Sequence, residues 1–208
     1  MRPVRPHPRA LAVAIVLVRH GQTEPNRAGQ LLGRLDAPLT DLGRRQAEAA
    51  ATSVLSTYDV ARVVSSPLGR ARETAERFGL AVEVDERWIE VDYGDYDGLP
   101  FKEVPDELWR EWRADGAWAP PSGESLASVG CRVRAACDEL SAVAAERDVV
   151  VVSHVSPIKA AVAWALEVGD EVSWRMHLDV AAICAVTCGA RGPSLRLFNQ
   201  TAHLAGVI

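Results

Sequence analysis

Hydrophobic and polar positions along this chain switch between two periods, and the switching outlines the elements. Leu11 to Val18 is an unbroken apolar run rich in β-branched residues, the pattern of a strand covered on both faces. A loop rich in Gly, Asn and Pro follows. Thr40 then caps a predicted helix to about Ser56, in which Leu42, Gln46, Ala49 and Ala50 are spaced to share one buried face. Val60 to Ser65 predicts a second strand. Ser66-Pro67, a capping residue followed by proline, predicts the start of a helix ending near Gly79. Ala81 to Val84 is a short third strand, and Trp88 to Gly98, with Tyr93, Tyr96 and two glycines, reads as a loop.

Phe101 to Trp118 is a Trp-rich helical excursion that ends at Pro120-Pro121-Ser122-Gly123-Glu124. Trp109, Trp112 and Trp118 either pack on the main body or form a lid. A long helix is predicted from Leu126 to Arg147, then a strand over Asp148 to Ser153 that runs into His154. Pro157 to Val168 has helical period. Ala181 to Thr187 and Ser194 to Phe198 predict a hairpin around Gly189 to Gly192. Strands alternating with helices imply an α/β fold with a largely parallel sheet.

Composition narrows the function. At 208 residues, one domain is expected, burying roughly 70% of its unfolded surface. Residues 1–10, with Pro3, Pro6 and Pro8, read as a leader, and 11–208 as a single domain with a helical, lid-like insertion at about 99–122. Arg2, Arg5 and Arg9 before the apolar run imitate a targeting signal, but the run leads into Arg19-His20 with no cleavage region and is half a membrane span. A net charge of −5 supplies no basic field for nucleic acid or an anionic membrane. Cys131, Cys137, Cys184 and Cys188 lack metal or redox spacing and are expected as buried free thiols in a reducing cytoplasm.

The candidate chemistry lies at two strand ends. His20 follows the first strand as Arg19-His20-Gly21, and His154 follows the Asp148 to Ser153 strand, each leading into a loop that offers backbone N–H groups. Arg70, near the start of the helix after the second strand, completes a cationic cup. Arginine forks and oriented amides match phosphate oxygens better than an apolar ligand.

The ordered segments Leu17-Val-Arg19-His20-Gly21-Gln-Thr-Glu-Pro-Asn26, Leu39-Thr-Asp-Leu-Gly43, Ser65-Ser-Pro-Leu-Gly-Arg70-Ala-Arg-Glu-Thr-Ala75, Glu90-Val-Asp-Tyr-Gly-Asp-Tyr-Asp-Gly98, Gly123-Glu-Ser125 and Val151-Val-Ser-His154 resemble the histidine phosphatase superfamily, the phosphoglycerate mutase-like family, over about Leu11 to Leu204. The resemblance implies a three-layer α/β/α sandwich with a mostly parallel central sheet. It also implies a metal-independent phosphomonoester hydrolase without a cofactor, acting through a phosphohistidine on a small phosphorylated metabolite.

On this resemblance His20 is the nucleophile, kept neutral by the charges of Arg19 and Arg70. Arg19, Arg70 and His154 hold the phosphoryl oxygens. Glu90 is the acid and base, with Asp92 ranked second and Glu24 and Asp95 behind it. Thr23, Asn26 and the Val155 N–H are implied substrate contacts. Two departures stand out: Pro25 replaces a common aromatic, and Val155-Ser156-Pro157 follows His154 where glycine is common. Arg72 points away from Arg70. His7, His177 and His203 read as leader, surface and terminal residues.

Two alternatives accompany hydrolysis, a cofactor-dependent phosphoglycerate mutase and a non-catalytic phospho-ligand binding module. Glu90-Val-Asp-Tyr-Gly in place of the mutases' Glu-Arg-His-Tyr-Gly, and the absence of their longer insertions, favour the hydrolase. Tyr93, Tyr96, Trp109, Trp112 and Trp118 suggest a substrate with an apolar or planar part. Oligomeric state is open, a homodimer being one option.

Overall fold

The computed structural model describes residues 13–143 and 147–207. The strands β1 (Val13–Arg19), β2 (Val60–Ser65), β3 (Val82–Val84), β4 (Asp148–Ser153), β5 (Ile183–Gly189) and β6 (Gly192–Gln200) form one sheet in the order β3-β2-β4-β1-β5-β6. The first four in that order run parallel. β5 and β6 are antiparallel additions, the expected hairpin.

Side chains alternate across β1 and β4, and the alternation builds two cores. Ile15, Leu17, Val149 and Val151 pack toward α5 (Leu126–Val143) and α6 (Val155–Leu166). Ala14, Val16, Val18, Val150 and Val152 pack toward α2 (Asp41–Thr57) and α3 (Gly69–Ala75). This is the three-layer arrangement, and each fully buried Val or Leu contributes about 1.5–3 kcal/mol. Because β1 and β4 are central and covered on both faces, their carboxyl ends are held in fixed register, Arg19 opposite Ser153.

The structure corrects several boundaries. Thr40 caps α2 as expected, its hydroxyl accepting from the Gly43 N–H. The buried face, however, is Gly43, Gln46, Ala47, Ala50, Ala51 and Val54, so Leu42 and Ala49 fall on its margins. α3 starts at Gly69 with Leu68 as its N-cap, and Ser66 does not cap it. α6 begins at Val155, two residues before Pro157, which places proline in the first turn, where it removes no helical hydrogen bond. The leader at 1–10 lies outside the described residues.

In the 99–122 segment the helical part is α4 (Asp106–Ala114). Trp112 is buried in the core, stacked on Trp109 at 6.1 Å and edge-on to Trp174 at 5.9 Å. The segment is therefore packed on the main body. Cys137 and Cys184 are buried, but Cys131 is exposed and Cys188 is partly so, all four free; the expectation of four buried thiols fails for those two. Among the described residues no helix is long and apolar enough to cross a membrane.

Candidate active site

The end of β1 turns sharply because Gly21 and Gly43 lie backbone to backbone. A Cβ on Gly21 would stand 2.2 Å from the Gly43 carbonyl oxygen, and one on Gly43 would stand 2.1 Å from that of Gln22. The Gly21 N–H is tied to Thr74 Oγ1 at 3.2 Å, and the His20 N–H to the Ser153 carbonyl at 3.0 Å. These bonds bring the end of β1 against the end of β4, so the rings of His20 and His154 lie 5.0 Å apart.

Four charged or titratable side chains are almost wholly enclosed here: His20 is 3% exposed, Arg70 0%, Glu90 3% and His154 0%. Arg19 is half-buried beside them. Arg70 Nη1 donates to the Leu35 carbonyl at 2.7 Å and Nη2 to that of Gly33 at 2.6 Å. The Asp97 carboxylate fixes that loop in turn by accepting the Gly33 and Leu35 N–H groups at 2.7 and 2.8 Å. Arg19 Nη1 donates to the Leu178 carbonyl at 2.6 Å. Buried side-chain nitrogens without a partner among the described residues include Arg19 Nε, Arg70 Nε and His154 Nδ1. Since buried polar groups are almost always satisfied, three such nitrogens, two of them arginine N–H donors, on residues of one site fit a place for an anion.

Protonation states follow from the bonding. His20 Nδ1 lies 2.7 Å from the Gly21 carbonyl. A carbonyl only accepts, so Nδ1 carries the proton and the neutral ring leaves Nε2 with a free lone pair. Burial holds His20 well below the ordinary imidazole value, and the Arg70 and Arg19 charges push it further down. His154 is likewise held well below, first by burial and then by Arg70. Its Nε2 lies 2.7 Å from Ser66 Oγ, and the same oxygen accepts the N–H of Leu68, the residue before the helix start, at 3.4 Å.

These depressed values predict a pH dependence of stability. Above about pH 6.5 both rings are neutral in the folded and unfolded chain. Between about 6.5 and the lower native values the unfolded chain binds more protons, so stability falls as pH falls, by up to about 1.4 kcal/mol per pH unit for each histidine. Urea unfolding at pH 7.5, 6.5 and 5.5 is expected to show this decline and a shallower one in His154→Gln. Equal slopes would mean that His154 titrates normally in the folded protein.

Glu90 is positioned from three sides. Its Oε1 accepts from the Val91 and Ser156 N–H groups at 2.8 and 3.1 Å, and its Oε2 from Val155 at 3.0 Å. Val155, expected to offer its N–H to phosphate, is thus engaged with Glu90 instead. The loop is pinned by Ser153 Oγ donating to the Trp88 carbonyl at 2.6 Å and by Arg132 donating to the Arg87 carbonyl at 2.6 Å; Arg132 is itself held by Glu124. The rival carboxylates are occupied elsewhere: Asp92 faces Arg34, Glu24 pairs with Arg27 at the surface, and Asp95 is exposed.

Thr23 and Asn26 close on each other. Thr23 Oγ1 donates to Asn26 Oδ1 at 2.9 Å, and the same Oδ1 accepts the Thr23 N–H at 3.1 Å, the capping box of α1 (Glu24–Ala28). The Thr23 hydroxyl, expected at the substrate, is committed to the cap, while Asn26 retains its Nδ2 donor. Arg72 and His177 are exposed, and His203 bonds Gln200 and the Ala181 carbonyl. Ser66, Asp97 and Lys159 belong to the site region, a role the sequence reading does not give them. Ser66 had a usable signal, since it ends a parallel strand at the same sheet edge as His20 and His154.

Comparison with known proteins agrees with this geometry. The chain is 40% identical over 204 residues to a bifunctional protein of Mycobacterium tuberculosis, an alignment covering 94% of this chain and 56% of the relative; the chain thus spans about half the length of that relative. It is 34% identical over 200 residues to phosphoserine phosphatase 1 of Hydrogenobacter thermophilus, covering 92% and 94%. A solved mycobacterial glucosyl-3-phosphoglycerate phosphatase in complex with VO3 superposes with a TM-score of 0.80 at 36% identity, covering 91% of this chain and 100% of that one. The model of the histidine phosphatase superfamily, branch 1, matches residues 15–201, from the middle of β1 to just past β6, and therefore takes in both histidines, both arginines and Glu90. The chain belongs to the histidine phosphatase superfamily, branch 1.

Proposed function

We propose that the chain is a phosphomonoester hydrolase that passes the phosphoryl group through His20. The observation that carries this reading is the fixed His20 tautomer, with Nδ1–H engaged by Gly21 and Nε2 free in a buried cationic pocket. Nε2 attacks phosphorus, a P–N bond forms, and the ester P–O bond breaks. Glu90 gives its proton to the departing alkoxide. A water then loses a proton to the Glu90 carboxylate and attacks the same phosphorus, the P–N bond breaks, and phosphate leaves with His20 restored.

The N–H donors of Arg19 and Arg70 left over from their carbonyl bonds take the phosphoryl oxygens. When the Ser66 hydroxyl donates to His154 Nε2, the ring proton sits on Nδ1, the buried nitrogen without a partner, and neutral His154 becomes a further donor. Relatives named for phosphoserine and glucosyl-3-phosphoglycerate support a small phosphorylated metabolite as substrate. The packed Trp cluster makes the 99–122 segment a wall of the pocket.

Phosphate release from p-nitrophenyl phosphate in the presence of chelator tests the reading; turnover is expected, and its absence, with mutase activity on 3-phosphoglycerate in its place, overturns hydrolysis. Glu90→Gln is expected to slow an alkyl phosphate by about 10²-fold and the nitrophenyl ester much less, because nitrophenolate leaves without a proton. Comparing two leaving groups in one variant cancels any change in phosphate binding. Equal losses on both would remove Glu90 from the role of acid.

A further inference from the structure

Beside Glu90 lies a pocket of about 80 Å³ whose walls include Val91, Trp109, Leu126, Val155, Lys159 and Trp174. It begins where the acid ends: Val91 follows Glu90 in the chain, and the Val155 N–H holds Glu90 Oε2. The departing oxygen must face Glu90, so the remainder of the leaving alcohol extends into this pocket. Its walls are mostly apolar and aromatic, with Trp109 edge-on to Trp174 at 6.2 Å, and the hydroxyl-bearing Tyr93, Ser156 and Ser173 also line it. Lys159 lies four residues after Val155 and hence on the same face of α6. Its half-buried ammonium makes no hydrogen bond or ion pair among the described residues.

We infer that this pocket is a subsite for a carboxylate on the leaving alcohol and that Lys159 is the residue that binds it, an inference resting on the hydrolase reading. A half-buried ammonium beside aromatic walls, with no hydrogen-bond or ion-pair partner, is costly, and an incoming anion compensates it. Burial already works against the Lys159 charge, and Glu90 acts in its favour. Lys159 is the one charged side chain among the described residues that line the pocket, so the pocket itself balances one negative charge. A carboxylate meets that condition, whereas a second phosphate dianion leaves charge uncompensated. Lys159 is thus a specificity residue that selects the alcohol while the arginines select the phosphate.

The test is kcat/KM on matched esters differing only in the second group: phosphoserine against phosphoethanolamine, and propanediol bisphosphate against propyl phosphate. The wild type is expected to prefer phosphoserine at least about tenfold, about 1.4 kcal/mol. Lys159→Met should bring that ratio to about unity, mainly through KM, and Lys159→Arg should keep most of it. Thermal melting checks that each variant is folded, and Lys159→Gln serves if the Met variant is not. An unchanged ratio in the folded variants, equal losses on both esters, or a stronger preference for the bisphosphate overturns the subsite while nitrophenyl phosphate turnover still supports the hydrolase. A wild type that hydrolyses none of these esters, nitrophenyl phosphate included, overturns both.

Discussion

Replacing His20 with alanine is expected to lower kcat/KM on p-nitrophenyl phosphate by at least about 10⁴-fold, because the variant loses the atom that bonds to phosphorus and no neighbour can take its place. His154 is 5.0 Å away by ring centroid, but its Nε2 is engaged with Ser66, and under the proposed tautomer its Nδ1 carries a proton. The fold should persist. The substitution removes one imidazole and its 2.7 Å bond to the adjacent carbonyl, a loss of about 1–2 kcal/mol, or a few degrees in Tm for a domain of this size. Kinetics and melting together separate chemistry from folding. A folded variant that retains wild-type turnover would falsify the assignment of His20. A second readout is labelling by radioactive phosphoryl donor, expected on the wild type and lost in the variant.

Arg70→Met is expected to cost about 10³-fold in kcat/KM, within the range of losing transition-state charge stabilisation in a buried site. Arg70 holds two carbonyls with its Nη atoms and keeps Nε unpartnered. Its five N–H donors let it grip the loop and the phosphate at once. Arg70→Lys retains the charge but not the fork, so it should recover only part of the loss. The methionine variant should also move the acid limb of the pH profile upward, since Arg70 is the charge that contributes most to depressing His20. If Arg70→Met retains full kcat/KM, or if lysine restores it completely, the bidentate role is wrong.

The local elements were legible because their causes are local. Apolar runs ending at Val18 and Ser153, the Thr40 cap and the Gly79 helix stop each announce themselves within a few residues, and the structure places them within one or two positions. Ser66 was misread for the same reason. Ser-Pro is a good local helix start, but the helix begins three residues on at Gly69 and the Ser66 hydroxyl meets a buried histidine 88 residues away, which nothing near Ser66 in the chain reports. The Val155 N–H is likewise held by a distant group, because the Glu90 carboxylate that accepts it comes from a loop 65 residues earlier.

By itself, the sequence determined the α/β class, the strand ends that carry His20 and His154, and a basic cup suited to a phosphoryl group. It did so because periodicity and residue chemistry are written along the chain. The tertiary structure alone decided which donors remain free, which histidine tautomer is present, how Asp97 fixes the loop that holds Arg70, and that Lys159 faces the same pocket as Trp109. Those outcomes depend on which distant groups compete for the same hydrogen bonds and on which of them burial withdraws from water, and both are set only when the sheet brings its strand ends together.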